Sequence, residues 1–168
     1  MLMGEYKTNL KAVFPCESTE KHKLQYNTYL SKKSATGFEL VGNITYLIPF
    51  DDSLTLNINM AKRGSIGGWV DNAHVYTTTK ACSKMKELFE NVWQLYVKGF
   101  HFSDMDCPIK PGVYVSSGID LGQLTDTNFP KVFFYGEYKM VLTFPSSNNV
   151  EKLGCSVLVL DILRPWES

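Results

Sequence analysis

A mainly β fold of antiparallel strands with one amphipathic α-helix is what this sequence predicts, and three observations predict it. Several short runs alternate apolar and polar residues with period 2, as strands with one buried face do. One run alone, residues 80–98, carries helical periodicity. Four cysteines, Cys16, Cys82, Cys107 and Cys155, stand far apart, where they could staple an open sandwich. The 168 residues suit one domain over 1–168 with a sizeable core.

The first segment is the least patterned. Residues 1–13 are expected to be a lead-in, disordered or foreign to the fold. The chain is then pinned at Cys16, and one strand is expected around Leu24 to Leu30. The next element is clearer. Phe38, Leu40, Ile44, Tyr46 and Ile48 share one face, while Asn43 and Thr45 face water. Asn43-Ile44-Thr45 is an N-x-T sequon, and a glycan on Asn43 needs that outward direction. Pro49 and Asp51 to Ser53 make a turn. Leu54, Leu56, Ile58 and Met60 then alternate with Thr55, Asn57 and Asn59. The two alternating runs read as one antiparallel hairpin.

Gly64, Gly67 and Gly68 follow, in a loop presenting Ile66 and Trp69. Their spacing matches neither phosphate-binding glycine pattern. In the helical run, Cys82, Met85, Leu88, Phe89, Val92, Trp93, Leu95 and Tyr96 form the apolar stripe. Lys84, Lys86, Glu87, Glu90 and Asn91 form the polar face, and Gly99 supplies the stop. The two glutamates oppose an anionic bilayer, so the stripe is expected to pack on a sheet.

Val113 and Val115 start a further strand, and Ile119, Leu121 and Leu124 thread a polar loop. Tyr138, Met140, Leu142 and Phe144 alternate with Lys139 and Thr143. Just before them, Phe129, Val132, Phe133, Phe134 and Tyr135 crowd a segment punctuated by Pro130 and Gly136. Loops are normally polar. An apolar one is either an aromatic corner folded into the core or the rim of a site for greasy ligands. The last run, Cys155 to Leu163, is apolar on both faces and reads as a central strand.

Lysine plus arginine and aspartate plus glutamate each number 17, which favours no nucleic-acid partner. No run of 18 apolar residues exists. The start, MLMGEYKTNL, has no apolar core of a signal peptide. The cysteines and the sequon nevertheless point to a secreted chain whose leader has been removed. His22, His74 and His101 lack metal-ligand spacing, and Asp104 and Asp106 lack a calcium loop. There is no G-x-S-x-G, and Asp104, Asp120 and Asp126 read as solvated loop carboxylates. No catalytic residue, metal or cofactor is expected. The cysteines suit two disulfides, with three connectivities open, or else four buried thiols.

Several motifs occur in order: GNIT at 42–45, GGWV at 67–70, KAC at 80–82, CPIKPGVY at 107–114, FP at 129–130 followed by Gly136 and Tyr138, and KLGC at 152–155. Over roughly residues 14–163 the chain resembles the ganglioside GM2 activator family. It also resembles insect chemosensory-B-like secreted proteins of the broader MD-2-related lipid-recognition group. Two features of the activator are missing: its extra cysteine pairs, and a tryptophan where Val132 stands. The pattern is closer to an insect carrier of lipid or pheromone.

The resemblance implies an antiparallel β-cup, an open β-sandwich around an apolar cavity with the helix near its mouth. It implies Cys16–Cys155 and Cys82–Cys107 disulfides and a glycosylated Asn43. Leu56, Ile58, Met60, Tyr138, Met140 and Leu142 are then expected to face the cavity, joined by Leu158 and Leu160. Leu88 and Val92 cover it from the helix. Ile66, Trp69, Phe129, Val132, Phe133 and Phe134 shape the mouth. The expected protein is a non-enzymatic monomer, secreted or lysosomal, that carries a lipid, fatty acid or other hydrophobic small molecule. A receptor or a membrane surface is a further expected partner. Two alternatives stand beside it: a module that binds a receptor or enzyme through exposed aromatics, and an activator that presents glycolipid to a hydrolase.

Overall fold

The computed structural model describes residues 2–17, 19–33, 37–120, 129–146, 148 and 151–167. The fold is mainly β, and its sheets are open, not closed into a barrel. Two short strands, β1 (Met3–Gly4) and β9 (Phe133–Phe134), pair with each other. The rest form two layers. The first contains β2 (Lys7–Pro15), β5 (Leu56–Arg63), β6 (Trp69–Thr78), β10 (Gly136–Pro145) and β11 (Lys152–Leu163). These run antiparallel in the order β6-β5-β10-β11-β2. The second holds β3 (Leu24–Lys32) and β4 (Phe38–Tyr46), with β7 (Gly112–Val115) and β8 (Ile119–Asp120) both pairing β4.

One parallel ladder pair, Gly154 with Leu24, joins the layers, and β2 runs close beside β3 there. A Cβ on Gly154 would lie 2.8 Å from that of Leu24, so only glycine lets the backbones approach this closely. The Cys16–Cys155 disulfide, with Cα atoms 5.7 Å apart, sits beside this seam. As the two-faced apolar pattern predicts, β11 is central, with β10 on one side and β2 on the other.

Between the layers near the seam lies a solid aromatic core. Tyr46 stacks on Phe50 at 5.6 Å, and Phe50 meets Phe144 edge-on at 5.2 Å. The buried Tyr26 and Tyr46 hydroxyls satisfy each other at 3.0 Å. Such pairs prefer these tilted and offset geometries.

Three expectations are corrected. The alternating runs at 38–48 and 54–60 are not a hairpin: β4 pairs β3 and β7, while β5 pairs β6 and β10. Phe50, between them, bridges to Ile109 and carries the chain from one layer to the other. Residues 1–13 are not a loose lead-in, because β2 pairs with β11 along Lys7 to Pro15. Leu10 faces Leu160 but Ala12 faces Val159, so Lys11 is an extra residue, a β-bulge. The inward set is therefore Thr8 and Leu10, then Val13, and the simple period 2 breaks there.

Finally, the helical run forms two helices, α1 (Ala81–Phe89) and α2 (Asn91–Gly99). They part at Glu90, whose φ is 43°. Phe89 packs edge-on to Phe129 at 5.1 Å, whereas α2 buries Val92, Trp93 and Val97. The two helices thus serve different neighbours. Nothing in the sequence at Glu90 marks the break.

The Cys82–Cys107 bond ties the start of α1 to the loop before β7. The disulfides close loops of very different size, with separations of 139 and 25 residues. Chain entropy then predicts about 5 kcal/mol for the first and about 3.5 kcal/mol for the second. Replacing Cys16 and Cys155 by alanine is expected to lower the urea midpoint more than replacing Cys82 and Cys107. Equal losses in equilibrium unfolding would contradict this order.

Candidate functional site

On the inner face of the first layer, away from the seam, the packing stops short and leaves a cavity of about 340 Å³. Its floor is the pleat of three strands. Ile58 and Met60 come from β5, Met140 from β10, and Leu158, Leu160 and Ile162 from β11. Met60 pairs in register with Met140, and Met140 with Leu158, so these side chains form one row. Leu88 and Phe89 of α1 cover the floor, and Phe129, Pro130 and Phe133 close another side. Thr8 and Leu10 of β2, with Tyr6 just before it, line the edge.

The aromatic segment 129–135 is both a rim and a fixed corner. Tyr6 Oη donates to the Pro130 carbonyl at 2.6 Å, and Tyr135 Oη to that of Glu5 at 2.6 Å. Tyr138 Oη donates to the Phe134 carbonyl at 3.0 Å. The tyrosines spend their hydroxyls on backbone, which leaves their rings to pack. The first residues of the chain therefore hold the rim in place, a role no sequence pattern suggests.

Of the residues expected to touch a ligand, Ile58, Met60, Leu88, Phe129, Phe133, Met140, Leu158 and Leu160 line the cavity together. Leu56, Val92, Tyr138 and Leu142 do not; they are buried in the packed core. Ile66 is 99% exposed at the tip of the β5–β6 turn. Val132 and Phe134 are also exposed, and the Phe134 ring lies 5.6 Å from that of His74. Trp69 is not on a mouth loop. It opens β6 opposite Arg63, with its ring under the Arg63 guanidinium at 4.1 Å and near Lys139 at 5.5 Å. Lys139 alternates with the cavity-lining Met140, so Trp69 stands on the outer face.

Sequence reasoning missed Tyr6, Thr8 and Leu10, hidden by the bulge at Lys11. It also missed His74, Val75 and Tyr76 on β6, an edge strand whose alternation is masked by exposure on both faces. Leu121 and Leu124 lie outside the described residues. Asn43 sits on the outer face of β4, between Asn27 and Val115 in register.

His74 is the polar exception in an apolar lining. Its ring is 4.8 Å from Phe133 and 5.9 Å from Tyr138. Burial among these rings, aided by the nearby Lys62 charge, holds its pKa below the usual 6.5. Among the described residues no group of three potential metal ligands gathers anywhere, and no helix is long and apolar enough to cross a membrane. No family model matches the chain, and no curated protein matches it.

The depressed histidine pKa has a consequence for stability. Below pH 6.5 the unfolded chain takes up a proton that the folded chain still refuses. Stability therefore falls as pH drops through 6.5 toward the lower folded value. His74→Phe keeps the aromatic packing and removes the proton. The fall in melting temperature between pH 7.5 and 5.5 is expected to be shallower in that variant than in wild type; parallel curves would refute the linkage.

Proposed function

We propose that this protein is a secreted, non-enzymatic carrier of one lipid or other hydrophobic small molecule. The observation that carries the reading is the cavity, whose lining is apolar apart from Thr8, His74 and the tyrosine hydroxyls. Its volume falls at the small end of ligand pockets. At roughly 30 Å³ per group it holds on the order of ten chain carbons. Ten methylenes taken out of water gain roughly 8 kcal/mol at about 0.8 each, the scale of micromolar binding.

Two disulfides support the placement outside the cytosol, since such bonds persist in oxidising compartments. Their pairing is also the one implied by the resemblance to the MD-2-related lipid-recognition group. Exposed Ile66, Val70, Val132 and Phe134 offer apolar surface for loading from a membrane or for contact with a receptor.

Displacement of a neutral fluorescent probe such as 1-aminoanthracene by medium-chain lipids tests the reading. Wild type is expected to saturate near one site. Leu158→Trp, which fills the cavity floor, is expected to lose binding at least tenfold while keeping a cooperative melt. A protein that takes up no probe and no lipid, yet binds another protein through its exposed rings, would be an interaction module instead.

Secretion carries its own expectation. Made in a eukaryotic secretory host, the chain should lose a glycan's mass on treatment with an N-glycosidase. Asn43→Gln should remove that shift, and a shift that survives would place the glycan elsewhere.

A further inference from the structure

Two donor groups stand near one end of the cavity: His74 in its lining, and Lys62 close enough for its charge to be felt by that ring, with no ion pair to Lys62 among the described residues. Lys62 pairs in register with Tyr138, and its Nζ lies 5.9 Å from the centre of that ring. The His74 ring lies 5.9 Å from the same ring. Lys62 therefore points along the inner face, over the buried tyrosine. Gly136 makes the space: with φ at 151°, it would place a Cβ 2.9 Å from Lys62 Cε.

The carboxylate nearest in sequence to Tyr138 is turned away. Glu137 faces outward, where it accepts from Lys11 at 2.5 Å and from Arg63 at 3.0 Å. Among the described residues Lys62 has no ion pair and His74 no hydrogen-bond partner. What sets Lys62 apart from the other lysines is its place on the inner face beside the apolar lining, one strand position from Met60 on that face. A half-buried ammonium is better placed beside an anion than beside an aromatic face alone.

We infer that the guest is an amphiphile with a single anionic head of the carboxylate kind, held by Lys62 with His74 beside it, and with its chain laid along the row Met60, Met140 and Leu158. This rests on the carrier reading above and adds to it a head-group preference. Lys62 supplies the charge. His74, neutral, supplies one ring N–H donor. Phe133 and Phe134 flank the histidine with their rings. The chain lies in the apolar part, so head and tail are recognised separately.

Matched twelve-carbon ligands separate the two contributions. Against 1-aminoanthracene at pH 7.5, dodecanoate is expected to compete at least tenfold better than dodecan-1-ol. Dodecyltrimethylammonium should be the weakest of the three. Lys62→Met is expected to bring dodecanoate down to the level of the alcohol and to leave the alcohol unchanged. Lys62→Arg, which keeps the charge, should restore most of the preference, and it guards against a folding defect in the methionine variant. His74→Phe should reduce the preference by a smaller factor. Equal competition by acid and alcohol in wild type overturns the head-group assignment while leaving the carrier intact. So does a preference that survives Lys62→Met. Failure of the probe and of all three ligands to bind overturns the carrier and the assignment together.

Discussion

Two β layers held together along one edge, where β3 runs beside β2 and β11, leave the rest of the space between them to side chains, and most of this structure follows from that constraint. Gly154 meets Leu24, and the adjacent Cys16–Cys155 bond locks the meeting point. Strands twist, so layers fixed at one end diverge toward the other. Near the seam the gap is narrow, and the stacked rings of Tyr46, Phe50 and Phe144 fill it. Farther out, the fill comes from α1 and the 129–133 segment, and it is incomplete. The cavity is what remains where the wedge is widest.

That remainder has an energetic meaning. Sealed core cavities destabilise by roughly 24 cal/mol per Å³. A void of about 340 Å³ that is open at a rim costs less than a sealed one, but its lining still forfeits packing contacts. A chain selected only for stability would close such a gap with a larger side chain or a collapsed loop. Here the lining uses flexible, medium-sized residues such as Met60, Met140 and Leu158, and the rim is clamped open by three tyrosine hydroxyls. The disulfides add stability without adding side-chain volume, which suits a fold that leaves its interior unfilled.

The strands with one clean phase were legible from the sequence. Ile58 and Met60, or Tyr138, Met140, Leu142 and Phe144, announce their buried faces by alternation alone, whereas the residues left three disulfide connectivities open and only the family resemblance implied the pairs that are seen. Which buried face opens on the cavity was not legible. Leu142 and Met140 share a face, yet only Met140 lines the void, because distance from the seam decides the matter and alternation carries no such distance. The β2 strand was lost to the extra residue at Lys11, which moves the inward set from Leu10 to Val13. The helix break at Glu90 was lost because a positive φ on glutamate leaves no mark in the sequence.

One irregularity settles the chemistry of the cavity's end. In the β5–β6 ladder, Met60 faces His74 and Lys62 faces Val70, so two steps on β5 match four on β6. The excess is taken up around Asn72, which adopts φ 58°. Two extra residues leave the alternation of β6 in phase and shift only its register. His74 stays inward beside Phe133, Lys62 stays inward over Tyr138, and Trp69 falls opposite Arg63 on the outer face. A regular hairpin would have opposed Lys62 to Asn72 and carried Trp69 out of the ladder toward the turn. The bulge thus keeps the indole among the outer cations and leaves the inner ammonium and imidazole as the polar groups at that end of an apolar hollow, which is why a charged head suits this end better than a bare hydrocarbon.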